Sequence, residues 1–250
     1  MHEASLHKAN CATLLTYDRE NLPPGGGLVY EHVQRFHKRL RKALGAFRFY
    51  MCGEYGTKNL RPHYHELLFG LDFPDKVPAG SSPAGSELFR SALLDRVWGY
   101  GRCSVGAVNF KSAAYVARHN LAKVNGALAD DHYMRIDYRT GELVRVATEF
   151  NEMSRRPGIG ARWIEQYWRD VYKPGLVADF DAVIVNGREV RPPKYYDRYM
   201  KRVDPSLIAN VRSEREQVGY ENRGDNTPER LNARELVAKA RLKFLKRDYS

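Results

Sequence analysis

Residues 47–55, Phe-Arg-Phe-Tyr-Met-Cys-Gly-Glu-Tyr, run through Gly56-Thr57-Lys58-Asn59 into Arg61-Pro62-His63-Tyr64-His65, and this stretch decides how the chain is read. The aromatic-rich run predicts a strand, the next four residues a turn, and the His-containing run a second strand. Side chains alternate faces along a strand, so His63 and His65 project together while Tyr64 points the other way. A hairpin folded about Lys58 and Asn59 brings Glu54 opposite His63. Two imidazoles and one carboxylate then converge. Such a set suits Mn or Mg less tightly than zinc and leaves positions open for water or a phosphate oxygen. For the pair taken alone, the competing reading is structural histidines in an ordinary half-buried strand.

Outward from the hairpin, composition bounds the partners. The 250 residues carry 43% hydrophobic side chains, enough for one large domain or a domain with an extension. Lys and Arg number 41 against 30 acidic residues, a formal charge of +11, and the pI is near 9.5. This is the electrostatic footprint of a polyanion binder rather than of an acidic-substrate enzyme. The cations cluster, as in His37-Lys38-Arg39-Leu40-Arg41-Lys42, and the chain has 16 tyrosines. Rings stack on unpaired bases while cations hold phosphates, which favours single strands over duplex. Lys38, Arg39, Arg41 and Lys42, with Arg61 beside the histidines, are therefore candidate DNA contacts. No apolar run is long enough to span a membrane, and the start lacks the apolar core of a secretory signal, so a cytoplasmic location without membrane contact is expected. Cys11, Cys52 and Cys103 are widely spaced without a paired motif and read as reduced thiols.

Along the chain, 11–18 reads as a strand and 30–44 as a helix with Val33, Phe36, Leu40 and Leu44 on its apolar face. Residues 72–85 read as a loop, 86–98 as a short helix and 102–110 as a strand. A helix is expected over 111–123, capped by Ser112, with Tyr115, Arg118 and His119 on one face. A helix tyrosine is more often core than nucleophile. A hairpin is expected around 137–141. Met153-Ser154-Arg155-Arg156-Pro157-Gly158-Ile159-Gly160 opens a helix through Trp163, Tyr167 and Trp168, and Arg155 and Arg156 there either hold a phosphate or simply flank a helix start. Asn186-Gly187 marks a hairpin, and 227–250 a charged helix with Thr227 as cap and Pro228 in its first turn. The expected division is 1–175 as the catalytic domain and 176–250 as a C-terminal hairpin with a basic helical extension.

An open metal site, a tyrosine on a downstream helix and a basic aromatic surface together suggest phosphodiester chemistry. The metal polarises a phosphoryl oxygen and Tyr115 attacks phosphorus, retaining the 5′-phosphate as phosphotyrosine and freeing a 3′-hydroxyl. Arg118 or Lys123 would stabilise the phenolate and the leaving oxygen. Two other readings of the same residues are a non-catalytic single-strand binding module and a metal-dependent nuclease using water.

These residues carry a resemblance. Thr-Leu-Leu-Thr-Tyr-Asp at 13–18, Cys-Gly-Glu-Tyr-Gly at 52–56, Arg-Pro-His-Tyr-His at 61–65, Ser-Ala-Ala-Tyr-Val-Ala-Arg at 112–118 and Met-Ser-Arg-Arg-Pro-Gly-Ile-Gly at 153–160 resemble HUH endonucleases. The specific likeness is to the replication initiators of gokushovirus-type microviruses, small single-stranded DNA phages. The resemblance implies an α+β fold, with a central antiparallel sheet, helices packed on it and an RRM-like arrangement. It implies rolling-circle initiation, in which viral-strand origin DNA is nicked, held covalently and rejoined. It also implies Mg or Mn on His63, His65 and Glu54, Tyr115 as nucleophile, and work in the cytoplasm of a bacterial host alongside a host helicase or other replication proteins. The chain departs from the pattern at three points. His119 stands where such relatives often place a second tyrosine, as an extra ligand or a general base. Arg118 stands where a lysine is common, which keeps the charge but changes its geometry. Relatives usually continue upstream with a Cys-containing segment, so a shortened front is expected.

Overall fold

The computed structural model describes residues 1–82, 85–119, 123–172, 182–185 and 187–243. Packing divides the chain after Ile159 into two units. In chain order, the first unit runs α1 (His2–Ser5), β1 (Asn10–Thr16), α2 (Tyr30–Leu44), β2 (Arg48–Tyr55), β3 (Pro62–Phe69), β4 (Val77–Ser81), β5 (Glu87–Arg90) and α3 (Ala92–Trp98). It continues through β6 (Cys103–Ala107), α4 (Phe110–His119), α5 (Leu128–Tyr133), β7 (Met134–Ile136), β8 (Leu143–Arg145) and β9 (Phe150–Met153). Seven of these strands form one antiparallel sheet in the order β4-β5-β6-β1-β3-β2-β9, so β3 is interior. The α+β class expected from the sequence is the one observed.

Alternation along β3 separates two faces. Tyr64 and Leu68 turn toward a core built with Val33, Phe36 and Leu40 of α2 and with Leu94 and Trp98 of α3. Each fully buried side chain of this kind is worth about 1.5–3 kcal/mol. Glu66 lies on this face too, wholly buried, with His37 Nε2 2.8 Å from its Oε1 and Thr13 Oγ1 donating to its Oε2 at 3.4 Å. A buried carboxylate is tolerated only with such partners, so these bonds pin α2 to β3 and β1. Gly45 ends α2 with φ 90°, its N–H bonded to the Arg41 carbonyl. The opposite face packs Leu67 and Phe69 of β3 and Cys52 of β2 against Tyr115 and Val116 of α4 and Ala4 of α1.

Two local expectations are corrected. The 72–85 loop contains β4, and 86–98 is β5 followed by α3 rather than one helix. The Ser82 N–H bonds to the Ser86 carbonyl and the Gly85 N–H to the Ser82 carbonyl, closing a hairpin whose second strand joins β6 through Phe89 and Val105. The helix starts only where Ser91 Oγ accepts from the Leu94 N–H at 3.0 Å. In α4, Asn109 rather than Ser112 is the cap. Its Oδ1 accepts from the Ser112 N–H at 2.9 Å while Ser112 Oγ accepts from the Asn109 N–H at 2.9 Å. Cys11, Cys52 and Cys103 are free and buried.

The second unit contains α6 (Ala161–Val171), β10 (Val183–Val185), β11 (Arg188–Val190), α7 (Lys194–Val203), α8 (Pro205–Glu221) and α9 (Pro228–Lys243). Ile164, Tyr172, Tyr196, Met200 and Ile208 share its core, so α6 packs here, whereas the sequence reading sets the boundary at 175. Helices α7 and α8 have no counterpart in the sequence reading, although Asp204 caps α8 by accepting from the Leu207 N–H at 2.9 Å, with Pro205 in its first turn. The strands flanking the expected Asn-Gly turn pair as β10 and β11, while Asn186 itself lies outside the described residues. Thr227 Oγ1 accepts from the Arg230 N–H at 3.5 Å, as its expected capping role requires.

Candidate metal and nucleophile site

The β2–β3 register pairs Glu54 with His63 and Cys52 with His65, while β1 places Thr16 and Leu14 on the other side of the two histidines. The turn length therefore brings the acid across from the histidine, as the sequence spacing predicts. Glu54 Oε1 lies 2.7 Å from His63 Nε2 and 2.9 Å from His65 Nε2. All three residues are buried, and their potential ligand atoms lie within 4.8 Å of one another.

Protonation logic tests whether this set fits a cation. His63 Nδ1 is 3.1 Å from the Arg61 carbonyl, which can only accept, so Nδ1 carries the hydrogen. Burial pushes His63 below the ordinary imidazole range, so the neutral ring is favoured. Burial, and then the charge on His63, push His65 further down. A neutral His63 so oriented points the Nε2 lone pair at a carboxylate oxygen, and two acceptors at that distance need a cation between them. The backbone carbonyl on Nδ1 is the kind of outer partner that orients a metal-bound imidazole. Two nitrogens and one carboxylate oxygen thus fit Mg or Mn, without competing thiolate. Cys52 on the same face stays a thiol, its pKa pushed up to about 12 by burial.

Tyr115 projects from α4 onto this face. Its ring meets that of His65 edge to face, with centroids 5.0 Å apart and planes at 80°. It is 4% exposed, packed with Cys52, Leu67 and Val116. Arg118, one turn further along α4, is half-buried. His119 is the last described residue of that helix, and its side chain lies outside the description. Lys123 is exposed beyond the helix, since α4 ends earlier than the expected 111–123.

The candidate DNA contacts are not gathered at this site. Lys38, Arg41 and Lys42 are exposed on α2, which packs on the sheet face opposite the two histidines. Arg39 is committed to fold, donating from Nε to the Val97 carbonyl at 2.7 Å and from Nη2 to the Trp98 carbonyl at 2.8 Å at the end of α3. Arg41 lies over the Phe47 ring at 4.6 Å. Arg61 donates to the Tyr17 carbonyl at 2.5 Å. Arg155 pairs with Glu152 at 2.6 Å, and Arg156 is exposed.

Three residues near the site escaped the sequence reading. Asn151 of β9 lies directly across from Cys52, in the row that continues to His65. Arg102 is exposed beside Thr16, whose N–H and Oγ1 both bond to the Arg102 carbonyl, and Thr16 faces His63. Arg48 donates from Nε to the buried Glu3 at 2.6 Å and from Nη2 to the carbonyls of Pro157 and Gly158 at 2.8 and 2.9 Å. It thereby ties the Arg-Arg-Pro-Gly segment to β2. No local motif marks these positions, because their roles arise from strand neighbours remote in sequence.

Residues 10–123, from β1 through α4, match the family model of replication-associated protein ORF2. Replication-associated protein VP4 of Bdellovibrio phage phiMH2K is 29% identical over 213 residues, covering 82% of this chain and 62% of that protein. Replication-associated protein ORF2 of Spiroplasma virus 4 is 29% identical over 226 residues, covering 84% and 64%. Replication-associated protein ORF4 of Chlamydia phage 1 is 31% identical over 127 residues, covering 47% and 31%. The chain thus spans less than two thirds of the length of these curated relatives. No solved structure gives a significant match. The family match contains Glu54, His63, His65 and Tyr115, and by it and these relatives the chain belongs to the replication-associated ORF2 family, among the members of gokushovirus-type microviruses.

Proposed function

We propose that this protein initiates phage DNA replication as an HUH-type nicking and joining enzyme, acting on single-stranded origin DNA through a 5′-phosphotyrosine intermediate. The observation that carries the reading is the approach of Tyr115 to His65, which sets a potential nucleophile beside the Glu54–His63–His65 cluster. Mg or Mn held by those three residues supplies Lewis-acid polarisation of a phosphoryl oxygen. The Tyr115 oxygen forms a bond to phosphorus as the bond from phosphorus to the 3′-oxygen breaks. The phenol loses its proton and the departing oxygen takes one up, leaving a free 3′-hydroxyl. Attack by a 3′-hydroxyl reverses these bonds and rejoins the strand. Arg118 supplies positive charge one helical turn from Tyr115, and His119 and Lys123 are the remaining candidates for proton and charge handling. Since α2 packs on the far face, the scissile strand runs on the α4 side of the sheet, with Asn151 and Arg102 as added contacts. The names of the phage relatives support a place of work in the cytoplasm of a bacterial host, with viral origin DNA and host replication proteins as partners. Among the described residues no helix is long and apolar enough to cross a membrane.

The burial of Tyr115 favours a second reading, in which the ring is core and water is the nucleophile of a metal-dependent nuclease. Denaturing electrophoresis of labelled single-stranded origin DNA with Mn separates the two. The nicking reading expects a detergent-resistant protein–DNA adduct that requires Tyr115, and cleavage without an adduct establishes the hydrolase instead.

A further inference from the structure

A cavity of about 330 Å3 opens beside the site and shares two of its residues, His65 and Tyr115. Its floor is the α4-facing side of β1 and β6, with Ala12, Leu14, Ser104 and Gly106. The register places these residues on the His65 face, since Leu14 pairs with both His65 and Ser104, and Ala12 with Gly106. The far wall is the β4–β5 hairpin, which extends the sheet beyond β6. Serine hydroxyls and the Asn109 side chain edge an otherwise apolar surface.

The chemistry of this lining selects its occupant. Among the described residues no Lys or Arg contributes to it, so it does not hold a phosphate. The Glu66 carboxylate is already engaged on the far side of the sheet by His37 and Thr13. The volume sits at the low end of small-ligand sites, of order 300 Å3 upward, and suits one planar group rather than a duplex. Apolar walls with hydrogen-bonding edges match an unpaired base, whose faces are apolar and whose edge carries donors and acceptors. Gly106 keeps the floor open. A Cβ built there meets only the Glu87 carbonyl at 3.8 Å and Leu88 Cδ2 at 3.9 Å, so the position tolerates a side chain that would fill the cavity.

We propose that this cavity receives one nucleobase of the strand whose adjoining phosphate lies at Glu54, His63 and His65, and that it sets a base preference at that single position. The inference rests on the reading that this face engages single-stranded DNA, and it adds where and by which residues one base is read.

The test is selection of bound strands from a randomised single-stranded DNA library by the full chain with Mn, comparing wild type with Gly106→Leu and Ala12→Leu. The second variant fills the cavity from the neighbouring strand should the first fail to fold. Wild type is expected to enrich one base at one position. Both filled variants are expected to lose that preference and to bind the selected strand roughly tenfold more weakly, within what one stacked base contributes, while keeping wild-type Mn affinity. Preference retained in a folded filled variant, or absent from wild type, overturns the proposal. Adduct formation on the selected strand is scored separately. A cavity effect without an adduct leaves the base site standing and removes the nicking reading, whereas an adduct without a cavity effect removes only the base site. Retention of no strand by wild type removes both.

Discussion

The rings of Tyr115 and His65 meet edge to face with centroids 5.0 Å apart, joining a helix and a strand 50 positions apart in the chain (115 minus 65). This contact lets one substitution separate packing from chemistry. Tyr115→Phe keeps the ring and removes the hydroxyl, so the folded state and Mn binding should persist, with a stability loss of about 1 kcal/mol for the lost polar group. Covalent adduct should vanish on denaturing gels. Adduct at the wild-type level in this variant refutes Tyr115 as nucleophile.

Metal binding to a preformed cluster should stabilise the fold. At Mn concentrations about a hundredfold above the dissociation constant, linkage contributes about 2.7 kcal/mol, and a chelator should reverse it. Thermal melting with and without Mn checks this. His63→Ala and His65→Ala should melt at the same temperature with or without the ion, and a full Mn-induced shift in either variant excludes the cluster as the binding site.

Gly101 approaches the end of β1 more closely than any side chain allows. A Cβ there would sit 2.5 Å from the Asp18 nitrogen, 2.6 Å from the Thr16 oxygen and 2.7 Å from the Tyr17 carbonyl carbon, all backbone atoms that cannot swing aside. Gly101→Ala should cost about 3 kcal/mol, at the upper end of overpacking penalties. Because Thr16 pairs with His63, Mn affinity should fall as well. Denaturant unfolding and Mn titration measure the two effects, and a variant as stable as wild type contradicts the close approach.

In the second unit, Asp197 accepts from the Tyr172 hydroxyl at 2.6 Å and from Arg215 Nη1 at 2.7 Å. Burial alone would raise its pKa, but the hydrogen bonds from Arg215 and Tyr172 outweigh it and hold the carboxyl below its ordinary range. A depressed folded value means that the unfolded chain takes up its proton first as pH falls. The stabilisation is therefore complete above the unfolded value of about 3.9 and is lost as pH drops through the folded one. Asp197→Asn should weaken the unit at neutral pH and flatten the acid limb of its stability profile. Hydrogen exchange of α7 and α8 amides across pH follows this, and an unchanged acid limb argues against the role given to Asp197.

The β2–β3 hairpin was legible because its signals are local. Alternation put His63 and His65 on one face, the turn residues set the hairpin length, and that length put Glu54 across from His63. Helix α2 was legible to the residue from the spacing of Val33, Phe36 and Leu40. The pattern misled at 86–98, where edge pairing of Glu87–Arg90 with β4 overrode a helical reading and the Ser91 cap alone marked the true start. It misled again at Ser112, since either partner of a reciprocal cap can be taken for the first.

By itself, the sequence determined the hairpin, the identity of the three clustered residues and the helical placement of Tyr115, because alternation, turn length and helical spacing act between near neighbours. Only the tertiary structure decided which face each helix covers. It turned the cations of α2 away from the histidines, committed Arg39 to the end of α3, brought Tyr115 to His65 and left a cavity between α4 and the β4–β5 hairpin. Those outcomes depend on burial shared among segments far apart in the chain, and such burial leaves no periodic trace in any one of them.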